Sequence, residues 1–204
     1  MREGYVGYFL CGRRVGNQPE PLGRWLVKSS RTDVGEALRD FLGGTVKEFI
    51  SNESRGVEVF TDAERVEILI DGSEAVRLEM VLWDYSGVVH HCDGRAYLSP
   101  MDVHGATCGC PSRIEDRKLE AKKGKGPQPD TQISFRIAKF PGLGSFYFRS
   151  SSWGVFDAAN TIKGAVAGRE RETLCELSIE RLELESPAGV NLAYFCPAVC
   201  MLEN

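Results

Sequence analysis

The chain has 204 residues, with 25 Lys and Arg against 29 Asp and Glu, for a formal net charge of −4. At 42% hydrophobic and 26% charged it can bury a core, and its net field advertises neither nucleic acid nor an anionic membrane as a partner. No stretch approaches the roughly 18–20 apolar residues that span a bilayer, so no membrane association is expected.

The first residues carry an acid at Glu3 and a broken apolar run that meets Arg13 and Arg14, which does not read as a secretory leader. The expected location is the reducing cytoplasm, where the seven cysteines are thiols or metal ligands rather than disulfides. A helix is predicted from Thr32-Asp33, with Val34, Ala37, Leu38, Phe41 and Leu42 on one stripe. Asp33 and Glu36 have the spacing of a capping box, and Gly43-Gly44 ends the helix. Strands follow at Val57–Phe60, Val66–Ile70 and Val76–Leu82, and Asp71-Gly72 predicts a hairpin between the last two.

Residues 86–130 lack convincing periodicity, and end in a charged, Gly/Pro-bearing run from Arg113 to Asp130. Strands resume at Gln132–Ala138 and Ser145–Arg149, with Gly142-Leu143-Gly144 as a turn between them. A second helix starts near Ser151 or Ser152 and aligns Phe156, Ala159, Ile162 and Val166 on one side. Strands at Leu174–Leu184 and Val190–Val199 close the chain, joined across Ser186-Pro187-Ala188-Gly189. The expected fold class is α+β: mostly antiparallel strands, two main helices, and an irregular Cys/His-rich zinc-type insert. The parts are 1–86, an insert at 87–130, and a β-β-α-β-β part at 131–204 that forms one compact unit with the first.

All three histidines and three of the seven cysteines fall in the insert, as His90, His91, Cys92, His104, Cys108 and Cys110. Zinc takes four thiolate or imidazole ligands in a tetrahedron, usually from short-spaced pairs. Cys108-Gly109-Cys110 is one pair, and His90-His91-Cys92 supplies another. A structural zinc is expected on Cys92, Cys108 and Cys110 with one histidine. Asp93, Asp102 and Glu115 lie near enough in sequence to serve a catalytic metal as base, but no HExxH-like motif or H-x-E with C-x-x-C is present. Isolated thiols and surface histidines are the plainer alternative.

Other signals are weaker. No phosphate-binding glycine loop and no G-x-S-x-G elbow occur, so Ser150-Ser151-Ser152 reads as a helix cap and no catalytic residue is assigned. Cys196 and Cys200 are assigned to core packing. Arg113, Arg117, Lys118, Lys122, Lys123 and Lys125 form a basic run, interrupted by Glu115, Asp116 and Glu120. It reads first as a solvated helix or loop. Arg113, Arg117, Lys118, Lys122 and Lys123 are its candidate phosphate or partner contacts, but without interleaved aromatics it has no base-stacking surface.

The string Gln132-Ile133-Ser134-Phe135-Arg136-Ile137-Ala138, then Pro141-Gly142-Leu143-Gly144-Ser145-Phe146-Tyr147-Phe148, then Ser150-Ser151-Ser152-Trp153 and a helix, resembles a family of phage and actinobacterial proteins. Leu182-Glu183-Leu184-Glu185 and Pro197-Ala198-Val199 match its closing strands, and Cys92-Asp93-Gly94 and Cys108-Gly109-Cys110-Pro111 its upstream motifs. These are recombination directionality factors of large serine integrases, some described as metal-binding proteins or hydrolases. The resemblance spans about residues 76–202. The family pattern places a further cysteine after the basic stretch, in Gly-x-Gly-Cys, where this chain has Gly124-Lys125-Gly126-Pro127. The fourth ligand then falls to His104 or His91.

The resemblance implies a non-enzymatic protein that docks on a large serine integrase and favours excision, touching DNA only indirectly or weakly. Two alternatives are a metal-dependent hydrolase and a zinc-stapled nucleic-acid-binding protein. The first rests on the cluster and its nearby acids, the second on the basic run.

Overall fold

A computed structural model describes residues 4–50, 55–169, 171–185 and 191–202. The chain begins with β1 (Gly7–Val15) and β2 (Gln18–Ser29), then α1 (Thr32–Leu42), β3 (Thr45–Ile50), β4 (Arg55–Phe60) and β5 (Arg65–Ile70). It continues through β6 (Val76–Asp84), β7 (Gly87–Cys92), β8 (Tyr97–Ser99) and α2 (Ile114–Lys122). The rest is β9 (Gln128–Ile137), β10 (Phe146–Ser150), α3 (Trp153–Val166), β11 (Thr173–Glu185) and β12 (Asn191–Met201). The link at 186–189 lies outside the described residues. Three helices are present among the described residues, not two. Among the described residues no helix is long and apolar enough to cross a membrane.

The sheet runs β12-β11-β5-β9-β10-β1-β2-β4-β3, with β6 branching from β9, β7 pairing with β6 and β8 with β7. Its ladders are antiparallel apart from β1 beside β10, where Gly7, Tyr8 and Phe9 pair with Phe146, Tyr147 and Phe148. Chain ends remote in sequence thereby share one core. Phe9, Trp25, Phe146 and Phe148 meet there edge to face, and α1 and α3 bury Leu38 and Ile162 against the same cluster. The sheet also folds back on itself. The connector between β4 and β5 takes a bond from Trp25 N to Ala63 O (3.0 Å) and one from Ile179 N to Glu64 O (2.9 Å). It thus stitches β2 to β11.

The helix expectations meet the structure with small changes. Leu38, Phe156, Ala159, Ile162 and Val166 are buried, and Phe41 is half-buried edge-on to Phe140 at 4.8 Å. The capping box does not form: Arg31 is the N-cap, no side chain caps the helix, and Asp33 pairs with Arg31 instead. Gly43 ends α1 at a φ of 71°, and Gly44 after it must be glycine for a steric reason. The φ of Gly44 is 93°, and a Cβ there would sit 1.9 Å from Phe60 O.

Three other expectations are corrected. Asp71-Gly72 does not close a hairpin. Gly72 opens a 3-10 turn at Ser73–Ala75, and β5 and β6 then lie end to end along one edge of β9, with Leu69 opposite Arg136 and Val76 opposite Ile133. The insert is not irregular, since it holds β7, β8 and α2. Cys196 is only half-buried and Cys200 is exposed, because β12 ends the strand order and no further strand packs beyond it. The β1–β2 hairpin was not anticipated, although Gly16-Asn17 is a two-residue hairpin signal between its strands.

Replacing fully buried Leu38 by alanine is expected to cost about 2–5 kcal/mol in denaturant unfolding. Leu119→Ala, at a site 51% exposed, should change stability by no more than about 0.5 kcal/mol. Equal effects would contradict the placement of the core.

Candidate metal centre

On a strand, residues two apart face the same way. His90 and Cys92 of β7 therefore share a face, opposite Leu82 and Met80 of β6, and His91 is turned to the other. Cys108 is brought beneath them by its amide, which donates to Arg95 O at 2.9 Å, and by the bridge between Ala96 and Thr107. Cys110 follows after one residue. The ligand atoms of His90, Cys92, Cys108 and Cys110 all lie within 4.8 Å of one another. Cys92 Sγ is 3.7 Å from Cys110 Sγ, which is 3.4 Å from His90 Nε2.

The four residues form a group compatible with a metal ion. Of the expected ligands, the structure brings together Cys92, Cys108 and Cys110. The histidine beside them is His90, not His104 or His91. His91 Nε2 lies 3.1 Å from Glu79 Oε2 and its Nδ1 2.9 Å from Ser99 Oγ. His104 is exposed in the turns after β8. The strand alternation from His90 to Cys92 is the sequence signal that puts His90, rather than His91, beside the cysteines.

Burial sets the electrostatics. It pushes the Cys92 thiol well above its ordinary range, with Cys110 and Cys108 adding to the rise. Cys110 is raised too, first by burial and then by its contact with Cys108. Burial, reinforced by His91, lowers His90, which favours the neutral ring that a metal takes as ligand. Crowded thiols of this kind hold their protons until a cation replaces them, so metal uptake releases protons and acid reverses it.

The surroundings hold the two knuckles. Gly94 N donates to Cys92 Sγ at 3.3 Å, and Asp93 Oδ1 accepts from the amides of Arg95 (2.7 Å) and Ala96 (2.8 Å). Those amide bonds, chiefly Ala96, depress the Asp93 carboxyl and commit it to the turn. Asp102 and Glu115 are exposed, and no carboxylate belongs to the ligand group among the described residues.

Arg117, anticipated as a phosphate or partner contact, is a strut. Its Nε donates to Pro111 O at 2.5 Å and its Nη2 to Gly94 O at 2.8 Å, tying the knuckles together. A Cβ on Gly94 would lie 2.3 Å from Arg117 Nη1, so only glycine lets the guanidinium this close. Lys118 is likewise engaged, with Asp157 at 3.1 Å and the Trp153 ring at 5.8 Å. Lys123 pairs with Glu120 at 2.9 Å. Arg113 and Lys122 are exposed.

A family model described as "Gp3-like: Recombination directionality factor-like" matches residues 6–184. No solved structure matches the chain.

Protein purified without a histidine tag is expected to carry about one metal ion per chain by elemental analysis. His90→Ala should lower that content sharply, and His104→Ala should leave it intact. The two cysteines at issue have raised pKa values and bind only as thiolates. Occupancy should therefore be greatest at neutral to alkaline pH and fall on acidification. Equal losses in both variants would refute the assignment.

Proposed function

This chain belongs to the Gp3-like, recombination directionality factor-like family, and from that membership we propose that it acts without turnover, docking on a large serine integrase and favouring excision. In this reading it works in the bacterial cytoplasm and touches DNA weakly or through its partner. The observation that carries the reading is the family match over 6–184, which includes most of the sheet and the whole metal group.

The metal in this reading is a structural zinc. Tetrahedral zinc with sulfur at about 2.3 Å and nitrogen at about 2.0–2.1 Å places neighbouring sulfurs about 3.8 Å apart, and sulfur and nitrogen about 3.5 Å apart. The spacings of 3.7 Å and 3.4 Å agree with those edges. One histidine and three cysteines make a complete set of four, which supports a structural rather than a catalytic role. Bound there, the ion would supply cross-linking between β7 and the Cys108–Cys110 knuckle. The chain's own residues do the rest: Arg117 braces the knuckles, and Phe156 and Trp153 pack beneath them.

A directionality switch needs only to bind one integrase–DNA arrangement better than another. Moving a population from 1:99 to 99:1 takes about 5.5 kcal/mol of differential binding, within reach of an ordinary protein interface. Arg117, Lys118 and Lys123 of the basic run are engaged within the chain, which leaves Arg113, Lys122 and Lys125 as its exposed charges for DNA phosphates.

With a cognate integrase and the two hybrid attachment sites, excision is expected to rise until the protein is roughly equimolar with integrase and then to plateau. Cys108→Ser should lower thermal stability and excision together, because metal affinity is then part of the folding free energy. Excision unchanged at every ratio, or substrate hydrolysis at trace protein, would overturn the reading.

A further inference from the structure

The hairpin of β6 and β7 carries the cluster at its base and an apolar tip at its far end. Trp83 is 64% exposed, Tyr85 104%, Val88 44% and Val89 48%. Trp83 and Val88 are cross-strand neighbours, and Asp84 pairs with Gly87 to close the turn. β8 runs back along β7 toward Val89, with Ser99 opposite His91, and Met101, 85% exposed, lies two residues beyond its end. Among the described residues, β7 pairs outward only at His91 and Cys92, which leaves its edge open over Gly87–Val89.

Soluble proteins rarely leave aromatic rings and a free apolar strand edge in water unless something covers them. The chemistry narrows what that is. No Lys or Arg occurs from Leu82 to Cys92, so the tip has nothing for a phosphate backbone. The Asp84 carboxylate accepts from Ser86 N at 2.6 Å and from Ser86 Oγ at 2.5 Å, so it is held by the turn and leaves one negative charge beside the apolar tip. Area bears on the remaining choice. Two such aromatics and their apolar neighbours present on the order of 300–600 Å². Obligate homodimer interfaces commonly bury about 2,000 Å² or more in total, whereas transient heteromeric contacts manage with less than about 1,200 Å². The patch is too small to hold two copies together and large enough to anchor a transient partner.

We propose that the hairpin tip, with Trp83 and Tyr85 as anchors, is the surface that docks into an apolar groove on the recombinase. This rests on the functional reading above. His90 and Cys92, in the same strand as Val88 and Val89, hold the hairpin's base in one orientation, so it meets the groove already ordered. Zinc and docking are thereby linked through one hairpin.

The test places the photoreactive residue benzoylphenylalanine at Tyr85, or at Ile50 on β3 as a distant exposed control, in the otherwise native protein. Irradiation with the recombinase and attachment-site DNA should join recombinase to position 85 and not to position 50. Trp83→Ser with Tyr85→Ser should weaken recombinase binding at least about tenfold, since a few buried aromatics dominate such contacts. Metal content and melting temperature should stay at parental values, because both side chains are exposed. If the double variant misfolds, the cross-link at position 85 still decides. Parental-strength binding by a folded double variant, a cross-link to DNA, or one to a second copy overturns the docking surface while leaving the integrase reading in place. Failure of the parent protein to bind the recombinase at all overturns both.

Discussion

The middle of this molecule depends on the convergence of four ligand atoms from two short segments. The apolar support there is slight: Met80, Cys92, Cys108 and Phe156 are its buried members, two of them cysteines. The main core, by contrast, draws on β1, β2, β9, β10, both long helices and the β11–β12 pair. A segment with so little apolar area of its own cannot offset the entropy of ordering about forty residues by burial alone. A metal ion held by His90, Cys92, Cys108 and Cys110, as proposed above, would supply the cross-link that packing does not. Arg117 adds to this: it bridges two carbonyls, and its charge favours the thiolate form of Cys110.

That constraint divides the labour within the protein. The sheet and its two packed helices form a stable platform. The knuckles and β8 form a collar on it, and the β6–β7 hairpin emerges from that collar. The same β7 strand carries two cluster residues and two exposed valines, so the strand that fixes the cluster also aims the tip. A recombination directionality factor-like protein that works by contact needs a surface of defined orientation more than it needs a pocket. Arg117 and Lys118 of the basic run fit this picture, since they hold α2 against its neighbours.

Much of the platform was legible in the sequence, because its elements obey simple periods. Leu38 and Ile162 sit on helical stripes, and Val66, Ile68 and Ile70 alternate into the core. Where the reading departed from the structure, the information was not local. Nothing in Asp71-Gly72 says that β9 will accept β5 and β6 in line, since that depends on a partner sixty residues away. α2 could be read only as a solvated helix or loop because it has no apolar stripe; its helix marks are the first-turn acids Glu115 and Asp116, and Lys118 pairs with Asp157. In the cluster the three cysteines were readable from chemistry. The structure groups His90 with them because β7 is a strand, whose alternation separates His90 from His91; a segment read as irregular offers no such alternation. Arg117 was missed as a strut because a charge in a charged run has no sequence mark of burial.

The most direct test of the central claim is hydrogen exchange of the native protein before and after metal removal by a chelator. The amides of Asp93, Tyr97, Gly105 and Cys108 bond only within the insert, whereas those of Trp25 and Ile179 stitch the platform together. The account predicts that chelation strips protection from the first group and spares the second. Protection unchanged in the insert, or lost evenly along the whole chain, would contradict it.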